Sequence, residues 1–130
     1  MKELHISEIK VSYSSGNTDK TKITGSESAY KLLLSCWDQS IIEFQEEFKI
    51  LLLNRANKVL GIYPVSKGGV SGTLVDPKLI FSVALKCNAS SIIMAHNHPS
   101  GNLNPSESDK CLTKKLISAG KFLDIPFWTH

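Results

Sequence analysis

Cysteine is scarce in this chain: Cys36, Cys87 and Cys111 are three in 130 residues, too few and odd in number for a disulfide framework. They are widely spaced, each sits in an apolar helical context, and none belongs to a C-x-x-C pair. The expectation is buried free thiols in a reducing compartment rather than disulfides or metal ligands. Long hydrophobic runs are missing as well. No stretch approaches the roughly 20 apolar residues that span a bilayer, and the opening MKELHISEIK lacks the apolar core of a secretory signal. A cytoplasmic location with no membrane partner is therefore expected. Charge of one sign is not abundant either: 15 Lys+Arg against 12 Asp+Glu leaves +3, short of the dense basic face that by itself argues for nucleic-acid binding. Internal repeats and low-complexity segments are lacking. Gly68, Gly69 and Gly72 do not supply the G-x-x-x-x-G-K-[ST] order of a phosphate-binding loop, and read instead as a mobile loop beginning at Ser66-Lys67. With 42% hydrophobic residues the chain can bury one core but not two, so a single domain over 1–130 is expected.

Along that domain, residues 4–13 alternate in the manner of a strand, and Ser14 to Lys20 form a polar loop. These first 25 residues, an N-terminal strand and loop, carry no visible chemistry, and His5 stands alone there. Ser26 is a candidate N-cap for a helix over 27–37 with Ala29, Leu32, Leu33, Cys36 and Trp37 at helical spacing. A strand from about Glu46 to Leu53, a turn at Asn54 to Lys58 and a strand at Val59 to Tyr63 make a β-hairpin, although Ile41, Phe44, Phe48 and Leu51 or Leu52 also fit a helical period. Asp76-Pro77 opens a second helix with a capping side chain and a proline at its first position, and Asn88 can end it. A third helix runs from Ser106 to about Ala119, with Leu112, Leu116 and Ile117 inward, Gly120 as its stop, and Lys110, Lys114 and Lys115 on a solvated face. Strand, helix, hairpin, helix, strand, helix, strand describes an α/β fold with a mixed sheet flanked by helices.

Chemistry concentrates in Ser91 to Asp109, SIIMAHNHPSGNLNPSESD. Ile92 to Ala95 read as a buried strand delivering His96 and His98 at its C-terminal end, and residues two apart on an extended chain face the same way. Asp109, on the first turn of the following helix, can complete a set of two nitrogens and one carboxylate oxygen. Three ligands with a fourth position left for water describe a catalytic zinc site, although the same set suits iron. Zinc there brings the pKa of a bound water from 15.7 to about 7. Glu46 is the candidate base for its proton, and the Ser106 hydroxyl at a helix start is the candidate donor to a developing oxyanion. Glu46 is preferred to Glu47 because even-numbered residues from 46 to 52 share a face, leaving Glu47 beside Lys49, solvated or paired with it. The plainer reading of the same letters is two loop histidines and a Ser-x-x-Asp capping box.

His-Asn-His-Pro followed by Ser106 and Asp109 resembles the JAMM motif of the JAB/MPN metalloproteases. The wording HNHPSGNLNPSESD is most similar to the bacterial RadC family, a likeness that extends from about Glu46 to the C-terminus. The resemblance implies the three-layer fold that JAB/MPN domains share with cytidine deaminases. It also implies zinc on His96, His98 and Asp109, Glu46 as general acid/base, Ser106 as stabiliser of the intermediate, and a peptide or protein substrate cleaved at an amide or isopeptide bond. Deaminase chemistry itself needs a C-x-x-C that is missing here. RadC relatives carry a DNA-repair name, which implies DNA as an alternative partner for a module without peptidase activity. The first 25 residues, however, are short for the helical region that family members carry ahead of this domain. Relatives also continue past Thr129-His130 with an Asp-His pair, and Thr129 stands where their Asp would be. The C-terminal strands thus look truncated after 130, with the Phe127 segment at a sheet edge and His130 not expected as a fourth ligand.

Overall fold

A computed structural model of the chain describes residues 5–14, 20–68, 75–99, 101 and 107–129. Its centre is strand β1, Glu47–Leu53, whose residues are buried nearly throughout: Ile50 to Leu53 are each 3% exposed or less. Both faces of this strand are covered, which is why Ile50 to Leu53 are an unbroken apolar run rather than an alternation. Turn residues Asn54 to Lys58 connect it to β2, Val59–Lys67. The Asn54 Oδ1 accepts from the backbone N–H groups of Ala56 and Lys58, and Asn57 takes the left-handed conformation at φ 61°. The hairpin expected from sequence is present, with β2 running on through Ser66 and Lys67, and residues 69–74 lie outside the described residues.

On its other side β1 pairs antiparallel with β3, Ser91–His96, which in turn pairs parallel with β4, Phe127–Thr129. The sheet order β2-β1-β3-β4 is mixed and leaves β4 at an edge, so the Phe127 segment lies where the sequence reading put it. Helix α1, Ser26–Ser35, packs Ala29 and Leu33, with Trp37 beyond its end, against Leu51, Leu53, Ile93 and Ala95. The opposite sheet face, Phe48, Ile50, Leu52, Ile92 and Met94, is covered by Ile80 and Ala84 of α2, Pro77–Lys86, and by Leu116 of α3, Glu107–Phe122. Helix, sheet and helices make the three layers. The Asp76 side chain accepts from the Lys78 N–H at 2.9 Å, and Asn88 at φ 54° lies just past the end of α2, both as read from the letters.

Four expectations need correction. Residues 5–14 form no strand: alternation supplies a face but no partner, and Ile6, Ile9 and Val11 are 81%, 86% and 68% exposed. Only Tyr13 is tied down, its hydroxyl donating to the Leu60 carbonyl. The N-cap of α1 is Gly25 rather than Ser26, and Ser28 supplies the side chain, its Oγ accepting from the N–H groups of Thr24 and Gly25. Gly120 does not stop α3 but lies buried within it, because a Cβ there would run into the Ile125 carbonyl oxygen. Gly120, not the partly exposed Ile117, continues the inward stripe of Leu112 and Leu116, and the reversal belongs to Asp124 at φ 56°. Lastly, of the three free cysteines only Cys87 is buried. Cys36 is intermediate and Cys111 exposed, since Cys111 lies on the outer side of α3's first turns.

Candidate active site

Register places the site. Phe48 pairs with His96 across the β1–β3 ladder, and carrying that antiparallel count two pairs further sets Glu46 opposite His98. Side-chain alternation then turns Glu46, Phe48, His96 and His98 to one face, the face covered by α2 and α3. The Phe48 and His96 rings stack at 5.7 Å with 6° between their planes, and the His96 and His98 rings meet edge to face at 4.4 Å. His96 is half-buried behind this stack while His98 is exposed.

Asp109 arrives from α3, in its first helical turn, where a carboxylate is favoured by the unpaired N–H groups and the dipole of the helix start. Burial, first, and the neighbouring His98, second, hold the His96 imidazole below its ordinary pKa, while the carboxylates of Glu46 and Asp109 pull it upward. Four of the five residues singled out from sequence are therefore electrostatic neighbours at the end of β3. The fifth, Ser106, lies outside the described residues, as does His130.

Two nitrogens on one tetrahedral zinc, each at about 2.0–2.1 Å, stand about 3.3 Å apart, and two imidazoles whose centroids are 4.4 Å apart can meet that separation. Neutral nitrogen ligands also suit zinc, and His96 is held toward neutrality by its burial. Among the described residues no group of three His, Cys, Asp or Glu stands close enough to hold a metal with the side chains as they are. Asp109 acts on His96 by its charge, and closing on a metal would require these side chains to rearrange. The residues fit the ion in type.

Two further residues shape this end of the sheet. Glu47 turns to the opposite face and is 3% exposed, with Lys49 Nζ at 3.5 Å and Lys67 Nζ at 3.9 Å. Lys49 also donates to the Cys36 carbonyl and lies 4.7 Å over the Trp37 ring. Glu47 is thus paired with Lys49, and it is buried rather than solvated. Sequence reasoning passed over Asn97 altogether. Between the two histidines, it necessarily points away from them, and its side-chain amide bonds Ile42, Gln45 and Glu47. The one signal in the letters was an amide side chain placed between two residues of a strand end.

Among the described residues no helix is long and apolar enough to cross a membrane. Comparison with known proteins gives the family. The UPF0758 protein of Flavobacterium johnsoniae is 45% identical over 111 residues, which are 84% of this chain and 46% of that protein. Those of Thermosynechococcus vestitus and Salinibacter ruber are 45% and 43% identical over 85 and 86 residues, covering 65% and 66% of this chain and 34% and 37% of theirs. The chain spans less than half the length of these relatives. A family model described as the RadC-like JAB domain matches residues 23–130, and the chain belongs to that family.

Proposed function

We propose that this domain is a zinc-dependent hydrolase that cleaves an amide bond, in a peptide or an isopeptide linkage, with His96, His98 and Asp109 as the metal ligands. The observation that carries the reading is the convergence of two imidazoles at 4.4 Å with the charges of Glu46 and Asp109 acting on one of them. When bound, zinc supplies Lewis acidity and a water made acidic enough to lose its proton near neutral pH. Glu46, half-buried beside the histidines, would be the proton carrier, taking a proton from the attacking water and returning it to the leaving amine. Asp109 and the two histidines would hold the metal, the Asp109 carboxylate offsetting one of its two positive charges. The Ser106 hydroxyl is assigned to the developing oxyanion on the strength of its place before α3. Phe48 shields one face of His96 from water and fixes the ring's plane.

The test is elemental analysis of the purified chain together with a panel of quenched-fluorescence peptides and a lysine-linked isopeptide. One zinc per chain is expected, lost in His96→Ala and in His98→Ala, with cleavage abolished in Glu46→Gln while the metal stays. Full zinc in both histidine variants, or cleavage undiminished without Glu46, would sink the reading. Retention on duplex DNA by a chain that binds zinc and cleaves nothing would replace it with a DNA-associated module.

A further inference from the structure

The backbone on both sides of Glu46 is held by one side chain. Asn97 Nδ2 donates to the Ile42 carbonyl at 2.6 Å and to the Gln45 carbonyl at 2.8 Å, and Asn97 Oδ1 accepts from the Glu47 N–H at 2.7 Å. Both amide hydrogens and the oxygen are used. The orientation of the group follows from its partners, since the reversed amide would set an oxygen against two carbonyls and an NH2 against an N–H. The residue immediately before Glu46 and the one immediately after it are thereby fixed, while Glu46's own carbonyl accepts from the Gly68 N–H at 2.9 Å. Residues 39–44 form turns and 45 a bend, so the ladder that pairs Glu47 with Lys67 does not reach the chain ahead of Glu46, and Asn97 holds that side.

The placement of Asn97 follows from the strand. With His96 and His98 on one face, the residue between them must face the other way, toward the 42–45 turn. The segment that presents the imidazoles therefore also clamps the segment that presents the carboxylate.

We propose that Asn97 is a positioning residue for Glu46: it couples the His-x-His strand end to the backbone of Gln45 and Glu47, so that ligands and proton carrier keep a single spacing. This rests on the reading of Glu46 as the proton carrier. A proton carrier must come within about 3 Å of its water, directly or through one intervening molecule, and a displacement of about 1 Å can cost a hundredfold in rate.

Amide exchange and kinetics on the zinc-loaded and zinc-free chain test the assignment. In Asn97→Ala the Glu47 amide should exchange about tenfold faster, the loss expected for one hydrogen bond, while the amides of Ile50 and Ile92 at the sheet centre stay slow. Zinc affinity should be unchanged, and cleavage of the peptide that the wild type cuts best should fall about a hundredfold in kcat with KM unaltered. In the Asn97→Ala/Glu46→Gln double variant the further loss should be slight, because both changes remove one function. Asn97→Asp keeps an acceptor for Glu47 but sets a carboxylate against two carbonyls, and should lose kcat likewise. Should neither variant fold, the wild type still decides: the Asn97 side-chain NH2 must exchange more slowly than that of exposed Asn88. Unchanged Glu47 exchange in Asn97→Ala, a fast Asn97 NH2, or a fall in zinc affinity parallel to kcat overturns the proposal, the last by showing action through the histidines. If the wild type cleaves nothing, the proposed hydrolysis has failed, and the exchange and zinc arms still decide whether Asn97 holds the Glu46 backbone.

Discussion

Phe48 lies parallel to His96 across the β1–β3 ladder, ring centroids 5.7 Å apart and planes 6° from parallel. One aromatic thus serves the core and the site together. It is 6% exposed within the cluster of Ile50, Ile80 and Met94, and it backs the imidazole proposed as a metal ligand.

Replacing that ring separates the two roles. Phe48→Ala removes a buried aromatic and should cost about 3–5 kcal/mol, enough to unfold much of a marginal domain. Phe48→Leu should cost about 1–2 kcal/mol and leave the chain folded, with His96 free to rotate and zinc held more weakly. Urea unfolding measures the first effect, and competition with a chromophoric chelator measures the second. A Phe48→Leu chain that loses stability but binds zinc as tightly as the wild type would show that the stack is packing alone.

Gly120 offers a second decision between opposed effects. Alanine is better than glycine inside a helix by about 1 kcal/mol, but at this position its Cβ would strike the carbonyl oxygen of Ile125, a backbone atom that cannot swing aside. That carbonyl belongs to the turn closed by the Ile125 N–H donating to the Gly120 carbonyl at 2.8 Å. Overpacking of this kind costs about 1–3 kcal/mol, and against rigid backbone the upper end applies. Gly120→Ala should therefore lose about 2 kcal/mol net and loosen β4. Gly61→Ala, with nothing within 4 Å, should stay within about 0.5 kcal/mol. Equal midpoints for the two variants in chemical denaturation would contradict the contact.

How far the letters carried depended on whether a residue's partners were near in sequence. Asp76-Pro77 and the Asn54 to Lys58 turn were legible because the capping bonds close within four residues. His96 and His98 were legible as a convergent pair because alternation over two residues needs no tertiary knowledge. Asn97 was not, for its three partners lie 50 to 55 residues away. Gly120 looked like a helix stop because a glycine that frees a turn and a glycine that admits a neighbouring backbone are the same letter. The alternation of residues 4–13 carried a periodicity but no partner strand, and pairing is what turns an extended segment into sheet.

Glu47 gives a third prediction. Its carboxylate is buried with Lys49, whose side chain is 12% exposed, so Glu47→Gln strands a mostly buried ammonium against Trp37 and the Cys36 carbonyl. Breaking such a pair costs on the order of 3 kcal/mol, whereas Glu46→Gln, at the solvent edge of the site, should change stability by less than about 1 kcal/mol. The adjacent glutamates are thus expected to divide: Glu47→Gln loses stability and keeps cleavage at temperatures where it is folded, and Glu46→Gln does the reverse. Thermal unfolding of both variants beside their peptide cleavage makes the comparison. Loss of cleavage in a fully folded Glu47→Gln chain would move the base assignment.

The last prediction concerns acid. His96 is held below its ordinary pKa of 6.5 by burial and then by His98, with Glu46 and Asp109 opposing. The unfolded chain therefore binds that proton more tightly than the folded one, and unfolding takes up a proton between the two values. The stability contributed by the neutral buried imidazole is complete above 6.5 and is lost as the pH falls from there through the lower folded value. In metal-free protein the urea midpoint should decline across that window, and His96→Gln should flatten the decline. Glu46→Gln removes an upward pull, lowers the folded value further and should steepen the decline, while His98→Gln removes a downward push and should make it shallower. The same depression favours metal capture, since zinc takes only the neutral imidazole and His96 stays neutral at pH values where an exposed histidine is half charged. Midpoints compared between about pH 8 and pH 5, the range over which histidine changes charge, decide the matter. A wild-type midpoint that does not fall on acidification, or a Glu46→Gln variant with a shallower decline than the wild type, would reverse the sign and with it the account of His96 as a ligand kept neutral by its surroundings.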